Sequence, residues 1–133
     1  MAVPADVELY GIHAVEVANL FLGRDIVAVR GMSAPGRQVV LLEYRDGRSA
    51  VLEHVTFLRY PVYVVVIYSN TWYHQISLEP PNTLLALARQ IVDFFRGGPI
   101  PVTPNEAIDL IHITETAKET LRSNIATRFG DAW

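Results

Sequence analysis

An unbroken apolar run in the middle of the chain constrains the fold most. Residues 61–69 read PVYVVVIYS, and the seven positions from Val62 to Tyr68 are all apolar. A strand with one wet face alternates apolar and polar side chains, whereas a run without alternation needs cover on both faces. As a helix, the run would be far shorter than the roughly 20 residues that cross a membrane. It therefore predicts a strand in a sheet that is covered on both sides.

The segments around this run predict further strands. Apolar stretches bounded by turn residues occur at about 26–32, 38–45, 48–58, 61–69 and 72–78. Asp46 and Gly47 suit a two-residue hairpin turn. This turn would place Val40 opposite Glu53. The fragment GMSAPGR at 31–37 is expected to be a turn between two strands.

One helix is predicted before the strands. Within residues 9–23, LYGIHAVEVANLFLG, five apolar positions recur at spacings of three and four: Tyr10, Ala14, Val17, Ala18 and Phe21. Glu16 lies on the opposite side, and Gly23 suits the end of the helix. We expect this helix to open near Gly11 and His13 and to bury its apolar stripe.

Two more helices are predicted after the strands. Asn82 or Thr83 can cap the first of them, and Gly97 can end it. The second begins at a capping box in which Thr103 is the N-cap and Glu106 its partner three positions later. Both helices have well-marked ends.

Residues 1–133 are therefore predicted to form a single α+β domain. Its sheet is mostly antiparallel and open-faced, with about five strands and with helices packed on one face. The last helix should end at about Arg122, and residues 123–133 form either a tail or an arm that docks Phe129 and Trp133. Three helices can cover one face only. We therefore expect a homo-oligomer that forms through the second face of the sheet.

Composition and motifs exclude several classes of function. A net charge of −3 without a basic cluster argues against nucleic acid. The chain has no cysteine, and no group of histidines or acidic residues has the spacing of a metal site. The sequence contains neither a Gly-x-Ser-x-Gly elbow nor a glycine-rich phosphate loop. The N-terminus lacks a signal peptide pattern. We expect a cytoplasmic protein that itself binds no metal, cofactor, nucleic acid or membrane.

His13 and Glu16 form the most suggestive pair of polar residues. Side chains three positions apart on a helix are neighbours, so the carboxylate can orient or charge the imidazole for proton transfer. Packing at the edge of the apolar stripe is the alternative reading of His13. The other three histidines, His54, His74 and His112, are expected to be structural.

Three segments resemble, in the same order, the C-terminal domain of the Gfo/Idh/MocA family of oxidoreductases, which includes glucose-fructose oxidoreductase and inositol dehydrogenase. They are YGIHAVEVANLFLG at 10–23, EYRDGRSAVLE at 43–53 and a C-terminal segment that contains DFFRGGPIPVTPNEA at 93–107. The resemblance covers about residues 9–123. It is most specific in the last segment, where a helix, a glycine pair, a proline-marked loop and a capped helix follow one another.

This resemblance implies a role beside a nucleotide-binding domain. Family members have an N-terminal Rossmann domain for NAD or NADP, and an α+β domain whose sheet serves as a subunit interface and whose first helix walls the sugar site. His13 matches the family histidine that exchanges a proton with the substrate hydroxyl, and is therefore implied to be catalytic. Tyr10 and Glu16 are implied as substrate-binding neighbours. Where many members carry an aspartate, four positions before this histidine, the chain has Leu9.

Three functions are open at this point. The first is the substrate-binding and oligomerisation domain of an NAD(P)-dependent oxidoreductase for a sugar or cyclitol, separated from its nucleotide-binding domain and inactive alone. The second is a stand-alone, non-catalytic protein that dimerises or binds carbohydrate. The third is a small cofactor-free enzyme that uses His13 and Glu16.

Overall fold

One sheet and three helices make up the described structure. The computed structural model describes residues 2–3, 6–57, 63–78 and 80–130. In chain order, the elements within these ranges are β1 (Ala2–Val3), α1 (Val7–Leu22), β2 (Ile26–Ala34), β3 (Arg37–Tyr44), β4 (Ser49–Val55), β5 (Tyr63–Tyr68), β6 (Tyr73–Leu78), α2 (Pro80–Phe95), α3 (Pro104–Ser123) and β7 (Thr127–Arg128). The strands follow the order β6-β5-β1-β4-β3-β2-β7. Among them, β1 and β4 pair in parallel and the other pairings are antiparallel. The predicted α+β class is confirmed.

The five longer strands lie where the sequence predicts them. The limits of β2 to β6 differ from the predicted segments by a few residues at most, and positions 58, 61 and 62 of those segments lie outside the described residues. β1 and β7 are not predicted from the sequence. Each has two residues, which is too few for a periodic pattern, and each depends on long-range pairing with other strands.

The β3–β4 hairpin is shifted by one residue from its predicted register. Val40 pairs with Leu52, so the predicted pairing with Glu53 is wrong. The cause is the loop, which holds three residues: the amide of Gly47 donates to the carbonyl of Tyr44 at 3.0 Å, and Gly47 has a φ of 86°. A type I turn followed by a left-handed glycine is the usual three-residue hairpin loop. The shift places Leu52 on the helix-covered face and Glu53 on the other.

β2 also continues further than predicted. The turn expected over 31–37 is confined to residues 35–36. Gly31 is a strand residue that lies directly against α3. A Cβ atom there would be 2.6 Å from the amide nitrogen of Leu121 and 2.7 Å from Oγ1 of Thr120. Glycine at this position lets the α3 backbone lie close to the strand.

α1 and α3 pack on one face of the sheet and form the core. They contact each other, and α3 lies along β2. A cluster of buried apolar side chains comes from these helices and from β2, β3 and β4: Val7, Ala14, Val15, Ala18, Ile26, Val29, Val40, Leu42, Tyr44, Leu52, Leu110, Ile113 and Ala117. The core therefore lies under one half of the sheet.

No helix covers the opposite face in the described part of the chain. Leu41 and Val51 are cross-strand neighbours on this face. Val51 and Met32 are 51% and 60% exposed. An ion pair lies beside them, with Nε of Arg30 2.9 Å from Oε1 of Glu43. The expected partner subunit on this open face stays a prediction.

α2 differs from its prediction in two ways. It begins at Pro80, so Asn82 and Thr83 lie inside the helix, and the predicted cap is wrong. Proline suits the first turn because no intrahelical amide bond is required there. All residues from 84 to 95 are exposed. Cover of the sheet by all three helices is therefore also wrong, because among the described side chains only those of α1 and α3 form the helical side of the core.

The segment after α3 returns to the sheet. β7 pairs with β2, and the amide of Phe129 donates to the carbonyl of Val27 at 2.9 Å. The ring centroids of Phe129 and His112 are 5.5 Å apart, and Phe129 packs against the core. Trp133 lies outside the described residues.

Candidate functional site

α1 carries the three residues singled out in the sequence. It begins at Val7 and not near Gly11, because Asp6 caps it by accepting a hydrogen bond from the amide of Leu9 at 3.1 Å. Gly23 ends the helix as predicted, and its amide donates to the carbonyl four residues earlier at 2.9 Å. His13 therefore lies inside the helix and not at its opening.

The buried side of α1 is rotated from the predicted stripe. Its buried residues are Val7, Gly11, Ala14, Val15 and Ala18. Tyr10 and Phe21, which the sequence pattern assigns to the core, remain 37% and 41% exposed. The helix therefore presents two apolar side chains at the flank of its buried side.

Tyr10, His13 and Glu16 lie together on the surface of α1. The ring centroids of Tyr10 and His13 are 5.9 Å apart. Nδ1 of His13 lies 3.8 Å from Oε2 of Glu16, which is too long for a hydrogen bond but forms an ion pair when the imidazole is protonated. The side chains of His13 and Glu16 are 59% and 53% exposed. Both are open to a ligand.

Two exposed leucines extend this surface. Leu9 and Leu20 are 71% and 79% exposed. The spacing of residues 9, 13, 16 and 20 is four, three and four, which places their side chains in one line along the helix. We call these four residues the His13 row. Sequence reasoning misses Leu20, although this spacing was available to find it.

Ion pairs with α3 hold α1 in position. The guanidinium of Arg122 donates to the carboxylate of Glu8, and Nζ of Lys118 lies 3.5 Å from the same carboxylate. The hydrogen bond from Arg122 lowers the pKa of Glu8. The hydrogen bond to Glu115 raises the pKa of Lys118. These charges lie on the α3 side of α1, away from the His13 row.

An apolar cleft lies along another side of α1. Its volume is about 570 Å³. On the helix side of the sheet, its apolar lining comes from α1, β4 and β5: Val17, Ala18, Phe21, Leu22, Ala50, Leu52, Val65 and Ile67. His13 and Glu16 do not line this α1 cleft. The chain therefore has two separate surface features on one helix.

The other histidines lie on other elements. His54 in β4 is fully buried, whereas His74 in β6 and His112 in α3 are exposed. Across the described ranges, no group of three or more His, Asp or Glu side chains is arranged to hold a metal ion. Nor does any helix in these ranges have an apolar stretch long enough to cross a bilayer.

The described residues do not fit a nicotinamide cofactor. A dinucleotide cradle needs a glycine-rich turn that leads from a strand into a helix. The glycines with positive φ, namely Gly23, Gly36, Gly47 and Gly97, follow helices or connect strands.

No protein-family model matches the sequence. No curated protein matches it either.

Several solved structures share the fold. GenD2 from gentamicin A biosynthesis, in complex with NAD, has a TM-score of 0.68 and 18% identity, and the match covers 90% of this chain and 46% of that one. A protein assigned as a myo-inositol dehydrogenase from Sinorhizobium meliloti has a TM-score of 0.67 and 14% identity, and the match covers 97% of this chain and 55% of that one. Myo-inositol 2-dehydrogenase from Lactobacillus plantarum has a TM-score of 0.60 and 16% identity, and the match covers 90% of this chain and 47% of that one.

The chain spans about half the length of each of these structures. At such low identities the likeness is one of fold. The resemblance seen in the sequence is confirmed at this level: the chain has the fold of one part of the Gfo/Idh/MocA-type oxidoreductases.

Proposed function

We propose that this chain forms the substrate-binding part of an NAD(P)-dependent oxidoreductase that acts on a sugar or cyclitol. The observation that carries the proposal is the exposed His13 row, in which a histidine and a carboxylate lie between two leucines. Burial of a leucine side chain stabilises a folded protein or a complex by about 1.5–3 kcal/mol, and a leucine exposed to water does not provide this stabilisation. Apolar side chains beside a few polar groups are the usual composition of a ligand-binding surface.

His13 is the proposed proton acceptor. Its Nδ1 atom faces Glu16, so Nε2 is the nitrogen that accepts the proton of a substrate hydroxyl. The carboxylate of Glu16 then stabilises the imidazolium. The ring of Tyr10 lies beside the imidazole and offers an apolar face to the C–H groups of the ligand, and a hydroxyl to its oxygens.

The nicotinamide cofactor, in this proposal, belongs to another part of the enzyme. The described residues form no cradle for it, and the fold of this chain matches about half of GenD2, a structure that contains NAD. We therefore expect the chain alone to show no oxidoreductase activity. Its own contribution is the wall that binds and orients the polyol.

The open face of the sheet is the proposed subunit interface. Leu41 and Val51 form its aliphatic centre, and Met32 lies exposed on the same face. The ion pair of Arg30 with Glu43 lies beside this centre. An aliphatic centre with charged neighbours suits contact with a second sheet of the same kind.

Protection of His13 from carbethoxylation tests the binding site. Diethyl pyrocarbonate is added to the chain with increasing myo-inositol or glucose, and the rate at each histidine is measured by peptide mass spectrometry. We expect the polyol to slow modification of His13 and to leave that of His74, exposed on β6, unchanged. Equal slowing at both histidines, or none at His13, contradicts the proposal.

A further inference from the structure

α2 presents an apolar side that nothing covers in the described structure. Seven large apolar side chains of this helix are between 42% and 80% exposed: Leu84, Leu85, Leu87, Ile91, Val92, Phe94 and Phe95. Arg89, Gln90 and Asp93 occupy the other side of the helix. The helix is therefore amphipathic, yet none of its described side chains belongs to the core.

The α1 cleft has the complementary character. The described helices α1 and α3 pack over β2, β3 and β4, and leave β5 without a helix above it. Strand register places Val65 and Ile67 of β5 on the same face as Leu52 of β4. A helix is about 10 Å wide and packs roughly 8–10 Å from a parallel neighbour, so the space beside α1 suits one more helix.

We propose that α2 of one copy of this chain docks in the α1 cleft of a second copy, in a reciprocal exchange that forms a two-fold dimer. Among the residues whose side chains the structure describes, none from the same chain's α2 lines the cleft. A second copy carries the same exposed helix side and the same cleft, so that each copy can supply the other's partner in a closed two-fold contact. This dimer is independent of the proposed function and uses neither the His13 row nor the open face of the sheet.

The exposed area is sufficient for a stable dimer. At about 180 Å² for each large side chain, the seven residues expose roughly 700 Å², which approaches the roughly 800 Å² that each partner contributes to a standard interface. In a two-fold exchange, the same contact is made twice. The total buried area then exceeds that of a standard interface.

Introduced cysteines test the docking directly, because the natural chain has none. A chain with Ile91→Cys, on the apolar side of α2, is mixed under oxidising conditions with a chain that carries Phe21→Cys in the cleft. We expect a disulfide between the two chains. A matched mixture with Arg89→Cys should give at least about tenfold less of this product. Equal yields from the two mixtures overturn the proposal. A chain that carries both Ile91→Cys and Phe21→Cys also overturns it if the disulfide forms within one molecule.

Sedimentation measures the assembly itself. Ile91→Glu should raise the dimer dissociation constant by about a hundredfold or more, whereas Gln90→Glu on the polar side should leave it unchanged. Circular dichroism checks that both variants are folded, which we expect because α2 lies outside the core. Met32→Glu, on the open face of the sheet, should leave the dissociation constant of this dimer unchanged and weaken only association through that face. A monomeric wild-type chain at its highest soluble concentration, or an Ile91→Glu chain that associates as the wild type does, overturns the proposal.

Discussion

The imidazole of His13 faces the carboxylate of Glu16 across one turn of α1, with Nδ1 3.8 Å from Oε2. This orientation leaves Nε2 as the nitrogen for a ligand. Leu9 and Leu20 extend the same exposed line at either end. The polar pair is therefore the centre of an exposed surface, and the proposed binding of substrate depends on that surface.

Gly31→Ala should destabilise the fold by about 1–3 kcal/mol, because the new methyl group meets the α3 backbone. A Cβ atom would lie 2.6 Å from the amide nitrogen of Leu121. Urea denaturation measures the change in the free energy of unfolding. Gly130→Ala is the matched control, since a Cβ there would have no neighbour within 4 Å. Equal stability of the two variants contradicts close packing of α3 on β2.

Tyr44→Phe should remove a pH dependence at alkaline pH. Burial raises the pKa of Tyr44 from 10.0 to about 12. The stability that comes from the neutral phenol is thus complete below pH 10 and is lost as the pH rises from about 10 to about 12. At pH 11, the wild-type chain should lose about 1.4 kcal/mol relative to the variant.

At pH 7 the same variant should be as stable as the wild type, or more stable by up to about 1 kcal/mol. The reason is that the Tyr44 hydroxyl, buried in the core, has no hydrogen-bond partner among the described residues. Urea denaturation of both chains at the two pH values checks this. A parallel loss of stability at high pH in both chains would show that another group causes it.

Sequence patterns predict most of the helices and strands, because these elements carry local signals. β2 to β6 are long enough to carry a recognisable apolar pattern, and Thr103 with Glu106 forms the capping box that the sequence predicts. The β3–β4 register was not available from the pattern, because Asp46 and Gly47 suit loops of two or three residues. The choice depends on strand pairing beyond the loop.

For the site, helical spacing predicts the neighbourhood of His13 and Glu16, which depends on α1 alone. Spacing cannot identify the buried side of α1, because that depends on where α3 and β4 lie. Tyr10 and Phe21 have the hydrophobicity of core residues, yet they face the side of α1 that neither α3 nor the core covers. The residues of α1 by themselves do not indicate which of its sides is left uncovered by the other elements.

Val65→Asp should destabilise the fold by about 3 kcal/mol or more, because a carboxylate at this buried strand position loses its hydration. Val65 is 7% exposed and lies in the apolar run of β5. Ser33→Asp, at an exposed position of β2 on the side of the sheet opposite its open face, is the control and should leave unfolding within about 1 kcal/mol of the wild type. A soluble and equally stable Val65→Asp chain would contradict the interior position of β5.

The most direct test of the account is an NMR titration of the isotopically labelled chain with myo-inositol, followed at the histidine rings. We expect a saturable shift of the His13 signals with a dissociation constant of roughly 1–10 mM, or about −3 to −4 kcal/mol, which suits half of a binding site. The signals of His54 and His74 should not move, and His13→Gln should abolish the saturable response of the Tyr10 ring. Signals of the His13 row that stay unmoved, or a response confined to the α1 cleft, would contradict the assignment of this surface as the substrate wall.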